Sequence, residues 1–163
     1  MLDLQLDLIG PAYAPALAHM NKSIAEYDPR GKWVHYHGAI DYNELHSFYA
    51  DAHVGIFASS CENMPNILLE TMAAGLPVLS SNHGPMPEIL GDAGLYFDPE
   101  EPSSLVEALL QLLASEDAMR RLASAAHEKA KNYSWERCAT ETFGFLRKIA
   151  LAHSKKTQPE SMS

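Results

Sequence analysis

Short apolar runs alternate along this chain with longer segments in which apolar residues recur every three or four positions. The first kind reads as buried strands and the second as amphipathic helices. LQLDLI (4–9) predicts a strand ended by Gly10-Pro11, and Leu17, Met20, Ile24 and Tyr27 mark a helix over 12–27. Asp28-Pro29-Arg30-Gly31 is a turn, WVHYH (33–37) a second strand, and Asp41 an N-cap for a helix over 42–50, with Glu44 completing a capping box. HVGIFA (53–58) is a third strand. A helix is expected to start at Pro65, a residue suited to the first helical position, to carry Ile67, Leu68 and Met72 on an apolar face, and to stop at Gly75. PVLSS (77–81) and Leu95–Phe97 are further strands, separated by the Gly/Pro-rich loop 82–87 and a short helical turn, PEIL, at Glu88. Helices follow: one capped by Ser103 or Ser104 and running to Leu113, one over 116–132, and one capped by Ser134 from Trp135 to about Ala150. Trp135 is expected to be a packing anchor. Residues from about 154 read as a polar, disordered tail.

Strands alternating with helices define an α/β chain, Rossmann-like, with a mostly parallel sheet flanked by helices and a helical C-terminal segment. The expected organisation is one domain over residues 1–150 followed by a polar tail, 151–163. Ligands in such sheets bind beyond the carboxyl ends of the strands. That places Gly10-Pro11, Gly38-Ala39-Ile40 and the 58–66 segment at a binding edge.

Composition narrows the class. With 163 residues, 47% hydrophobic and 20% charged, the chain is an ordinary globular protein. No apolar run approaches the roughly 20 residues that span a bilayer, and no basic start marks a leader, so the cytoplasm is the expected compartment. The net charge of −9 argues against a nucleic-acid partner. Residues 1–100 hold only Lys22, Arg30 and Lys32 as cations. Cys61 and Cys138 read as free thiols. His35 and His37 share a strand face, but no third metal ligand accompanies them, so packing is the better reading. His83 divides evenly between a site role and an ordinary loop. His19, His46 and His127 read as surface residues and Arg120-Arg121 as a solvated face. Ser59-Ser60 lacks partners for a nucleophilic role.

The chemistry concentrates in ENMPNILLE, residues 62–70. Glu62 and Glu70 bracket a helix start, where backbone N–H groups and the positive dipole end favour an anion. Ionised carboxylates accept hydrogen bonds only, which suits vicinal hydroxyls. A diphosphate flanked by two acids is chemistry fit for a nucleotide sugar.

Taken in order, LDLIGPA, WVHYHGAID, ELHSFYADAHVGIFAS, ENMPNILLETMAAGLPVLSS, GPMPEIL, GDAGLYFDP and SWERCA resemble the C-terminal, donor-binding domain of a family 4 (group 1) glycosyltransferase of the GT-B fold, over about residues 4–150. The resemblance implies roles. Glu62 would be catalytic, meeting the transferred sugar's hydroxyls near the reacting carbon. Glu70 would accept from the ribose hydroxyls. The N–H groups of Asn63, Met64 and Asn66 would face the sugar and distal phosphate. Ala39 and Ile40 would flank the base, and Gly10 would belong to the donor-binding turn. It further implies a retaining transfer from a UDP- or GDP-sugar to a saccharide or lipid-linked acceptor in polysaccharide or glycolipid synthesis. No metal or other cofactor is implied.

The family's domain opens with a further strand and helix whose Arg and Lys clamp the diphosphate; here Met1 precedes what matches the second strand. The chain is therefore expected to be a domain lacking those parts and the acceptor domain, weak or inactive alone, prone to self-association, and peripheral at the inner membrane face. A non-catalytic nucleotide-sugar-binding remnant and a sugar-nucleotide epimerase of the same fold remain as alternatives.

Overall fold

The computed structural model describes residues 4–156. The chain divides into two compact units, Met1–Asp51 and Ala52–Ser163.

The first unit runs β1 (Leu6–Ile9), α1 (Ala14–Tyr27), β2 (Val34–Gly38), α2 (Tyr42–Asp51). β1 and β2 pair in parallel, Leu6 against Val34 and Leu8 against Tyr36, with a slip that sets Ile9 against Gly38. The turn before β2 is held by Asp28, which is buried. Its carboxylate accepts the N–H groups of Lys32, Trp33 and Val34 at 2.9, 2.9 and 3.0 Å. Burial pushes the Asp28 pKa up, but the three hydrogen bonds outweigh it and hold the group below the usual 3.8. Asp41 caps α2 as expected, although its Oδ1 accepts from Asn43 N–H at 2.8 Å, one position earlier than a capping box would place the bond.

The second unit runs β3 (Gly55–Phe57), α3 (Asn66–Ala73), β4 (Val78–Ser81), α4 (Met86–Leu90), β5 (Leu95–Phe97), α5 (Pro102–Leu113), α6 (Glu116–Ala130) and α7 (Trp135–Lys156). β4 is the middle strand, parallel to β3 and to β5, with Ile56 opposite Leu79 and Ser80 opposite Tyr96. Each residue of β4 is buried, so its sequence lacks the apolar–polar alternation of a half-exposed strand. Alternation survives in where the side chains go. Val78 joins Phe57, Leu68, Met72, Met86, Leu90 and Ala126 on one side of the sheet. Leu79 joins Phe97, Ala108 and Leu112 on the other. α3 and α6 meet through Leu68, Met72, Ala126 and Ala130. The small residues of α6 allow that close approach.

Several expectations shift. α3 begins at Asn66, with Pro65 as its N-cap at φ −80° and ψ 78°. Asn66 N–H donates to Met64 C=O at 2.9 Å, an inverse γ-turn centred on Pro65 that postpones the helix by one residue. Ile67 is 58% exposed and lies outside the core. α5 starts at Pro102, and Ser104 accepts from Asp98 N–H at 2.8 Å instead of capping the helix. α7 runs on to Lys156, past the expected end at Ala150. Trp135 is 79% exposed among the described residues, where a packing anchor would be covered. Of the expected tail, residues 157–163 lie outside the described part. No helix among the described residues is long and apolar enough to cross a membrane.

Candidate functional site

The loop from β3 to α3 carries the motif read from the sequence. At its end a cavity of about 240 Å³ is lined by Phe57, Glu62, Met64, Pro65, Asn66 and Ile67. Its base is Phe57, the last residue of β3, and its wall is the first turn of α3. It therefore lies at the carboxyl end of a parallel strand and the N-terminus of a helix. Glu62 is half-buried; Met64, Asn66 and Ile67 are exposed. Pro65 is fully buried and fixes the chain's entry into the helix.

The helix end has no side-chain cap. Amides in a first turn have no intrahelical acceptor, and their partial positive charge favours an anion. One of them, Asn66 N–H, is engaged by Met64 C=O at 2.9 Å, and the ordinary helical bonds begin with Leu69 N–H donating to Pro65 C=O at 3.1 Å. Glu70 lies one turn beyond Asn66 on the same side of α3, half-buried. Neither it nor Asn63 lines the cavity. The structure thus brings Glu62, Met64 and Asn66 together around one cavity, with Asn63 on its rim in sequence and Glu70 deeper along the helix. Phe57, Pro65 and Ile67 complete the lining. Ile67 was legible only as an apolar helix residue, and its exposure is what separates a wall residue from a core residue.

One neighbour lies against this loop and another against the far end of the helix it feeds. Gly84, in the loop after β4, has φ +53°, and a Cβ there would lie 3.9 Å from Glu62 N. That loop is fixed in turn by Asn82 N–H donating to Phe97 C=O at 2.9 Å and His83 N–H donating to Ser81 Oγ at 3.1 Å. The His83 ring sits 3.7 Å from Asp98, a loose and half-exposed pair. At the other end of α3, His127 Nδ1 lies 2.8 Å from Ala73 C=O. His127 is exposed as expected, but it ties α6 to the helix that carries the site.

In the first unit, Gly10 (φ +133°), directly after β1, and Gly38 (φ +67°), the last residue of β2, have conformations that favour glycine. Gly10 N–H donates to Gly38 C=O at 2.8 Å, and Tyr36 Oη donates to Gly10 C=O at 3.0 Å. Ala39 and Ile40 come directly after Gly38, so the residues expected to flank a base share one edge with Gly10. His37 faces Asp7 at 2.7 Å and Phe48 edge-on. The His37 hydrogen bond holds the Asp7 carboxyl below its usual range. Among the described residues no three His, Cys, Asp or Glu side chains gather in a metal-binding group.

The model of the group 1 glycosyl transferases matches residues 1–115, and the chain belongs to that family. It is 36% identical over 120 residues to the O-antigen chain mannosyltransferase B of Escherichia coli, covering 73% of this chain and 31% of that protein. It is 33% identical over 119 residues to a D-inositol 3-phosphate glycosyltransferase of Corynebacterium urealyticum, covering 72% of this chain and 27% of that protein. Among solved structures, the sucrose-phosphate synthase of Thermosynechococcus elongatus superposes with a TM-score of 0.78 at 25% identity, over 91% of this chain and 39% of that one. The fold is that of GT-B glycosyltransferases: parallel sheets flanked by helices. The chain spans about a third of the length of the relatives it matches.

Proposed function

We propose that the chain is the donor-binding part of a retaining glycosyltransferase, taking a sugar from a nucleotide sugar for transfer to a saccharide or lipid-linked acceptor. The observation that carries this reading is the cavity at the uncapped start of α3, with the Glu62 carboxylate on its wall. The helix end suits the diphosphate, whose leaving charge it stabilises as the glycosidic bond breaks. Glu62 accepts hydroxyl hydrogen bonds from the transferred sugar, and Glu70 accepts them from the ribose. Gly10, Ala39 and Ile40 serve the base and its approach. No metal takes part. The named activity of the Escherichia coli relative makes a mannosyl nucleotide the first donor to try.

A second reading, a binding module that depends on a partner chain for turnover, is favoured by the absence of any Lys or Arg from the cavity lining. Both readings require nucleotide binding. Calorimetry on the 163-residue chain with UDP, GDP and ADP at millimolar concentration tests them together. The expected result is binding of one nucleotide, weakened about tenfold by Glu70→Ala as one charge-assisted hydrogen-bonding group is lost. No heat with any of the three would sink donor recognition by this chain.

A further inference from the structure

We infer that the cavity at the start of α3 takes a 6-deoxyhexose, a sugar whose exocyclic carbon is a methyl group. This rests on the donor-binding reading above and names the sugar within it. The cavity, about 240 Å³, is smaller than the roughly 300–1,000 Å³ of sites that enclose drug-sized ligands. It suits one monosaccharide ring, with the nucleotide outside it. Its lining divides by chemistry. Phe57, Met64, Pro65 and Ile67 present hydrocarbon or thioether surface, and Glu62 and Asn66 are the polar side chains. Phe57 and Pro65 are buried, whereas Met64 and Ile67 are exposed and open to a ligand.

A hexose held by its anomeric phosphate has its ring hydroxyls and an exocyclic hydroxymethyl to satisfy. The Glu62 carboxylate accepts from a vicinal pair, and the Asn66 amide serves a further ring hydroxyl. The free amides of the helix start go to the diphosphate. No polar side chain of the lining remains for the hydroxymethyl, which meets Met64 or Ile67 instead. A hydroxyl set against such side chains gives up water without a replacement partner. A methyl in the same place gains by burial. Other substituents fit worse. The carboxylate of a hexuronic acid would meet Glu62 with no Lys or Arg in the lining to offset the repulsion. A 2-acetamido group would add an amide N–H and C=O, with the Asn66 side chain alone to answer both. Apolar pockets reject an added hydroxyl by about a hundredfold at most, and Met64 and Ile67 stay partly wet, so the expected preference for the 6-deoxy sugar is about tenfold.

Calorimetry on the full chain tests this with matched donors that differ by a single oxygen. GDP-mannose is compared with GDP-6-deoxymannose, and UDP-glucose with UDP-6-deoxyglucose, with GDP and UDP as references. In the series whose nucleotide binds, the 6-deoxy sugar should bind about tenfold tighter than its parent. Ile67→Ser and, separately, Met64→Ser each put a hydroxyl on the wall. Both residues are exposed, so neither change should alter the circular dichroism. At least one of the two should bring parent and 6-deoxy sugar within about threefold of each other, chiefly by improving the parent. Clear nucleotide binding with equal affinities for the two sugars, or with the parent tighter, would overturn the inference and leave the donor reading standing. So would a preference that neither serine variant reduces. No binding of any nucleotide or sugar nucleotide would overturn the donor reading and this inference together.

Discussion

Gly55→Ala is the substitution that best tests how β3 and α3 set the width of the cavity. A Cβ on Gly55 would fall inside the van der Waals envelope of Thr71 Cγ2, and would stand 3.5 Å from Thr71 Cβ and 3.8 Å from Leu76 Cδ1. Thr71 cannot simply rotate away. It is buried, and its Oγ1 donates to Ile67 C=O at 2.7 Å. Rotation would give up that bond, worth about 0.5–1.5 kcal/mol net. The alternative is for α3 to move off the sheet, and overpacking of this kind costs about 1–3 kcal/mol. The two routes together put the destabilisation at about 1–2 kcal/mol. Thr71→Ser removes the clashing methyl and keeps the hydroxyl, at about 1 kcal/mol by itself. If the clash is the cause, Gly55→Ala in the Thr71→Ser background costs almost nothing, a coupling of about 1–2 kcal/mol. Urea unfolding of the four chains, with m-values checked for constancy, measures the cycle. Additivity within about 0.5 kcal/mol would refute the reasoning, since the two sites would then act independently.

Leu68→Ala should cost about 2–5 kcal/mol in the same assay, because Leu68 is fully buried between the sheet and α6; a loss under 1 kcal/mol would show that α3 is not seated as described. Acid should loosen the first unit. Asp7, chiefly through its His37 hydrogen bond, and Asp28, despite burial, both sit below the usual 3.8. Groups depressed on folding contribute stability that is full above the unfolded value and is lost as pH falls through the folded one. The hydrogen-exchange protection factors of the Lys32, Trp33 and Val34 amides should therefore fall below about pH 4, and Asp28→Asn should leave them low at neutral pH. Protected amides in Asp28→Asn would contradict that account.

The order of strands and helices was legible because each carries its own period, and because Pro and Gly punctuate the boundaries. The capped starts of α2 and α7 were legible for the same local reason: Asp41 and Ser134 each accept a first-turn N–H, whereas the cap that Ser115 supplies to α6 emerges only from the structure. Ser104 was misread because its hydroxyl has a better partner in Asp98, across a loop that sequence spacing does not reveal. Trp135 and Ile67 were misread by one common logic. An apolar residue at helical spacing indicates which face it shares and is silent about what covers that face. Ile67 is left 58% exposed by the described residues, and it becomes part of a cavity lining. Trp135, at the start of α7, is left 79% exposed by the described residues.

Glu62, which lines the candidate cavity, is conspicuous in the sequence, whereas the state of the amides beside it is not. Sequence offered Asn63, Met64 and Asn66 as the phosphate-facing donors. Pro65 removes its own N–H and, by closing the γ-turn, also engages that of Asn66 with Met64 C=O at 2.9 Å. A phosphate that takes Asn66 N–H must first open this turn, giving up a bond of about 1 kcal/mol. Asn63 and Met64 carry no such cost. In ¹⁵N-labelled chain titrated with the nucleotide that binds, the amide resonances of Asn63 and Met64 should therefore move before that of Asn66. Near saturation Asn66 should shift only if α3 gains a residue at its start, which would appear as helical carbon shifts at Pro65. An Asn66 amide that moves first, with Pro65 unchanged, would mean that the γ-turn is not what a ligand meets at this helix end.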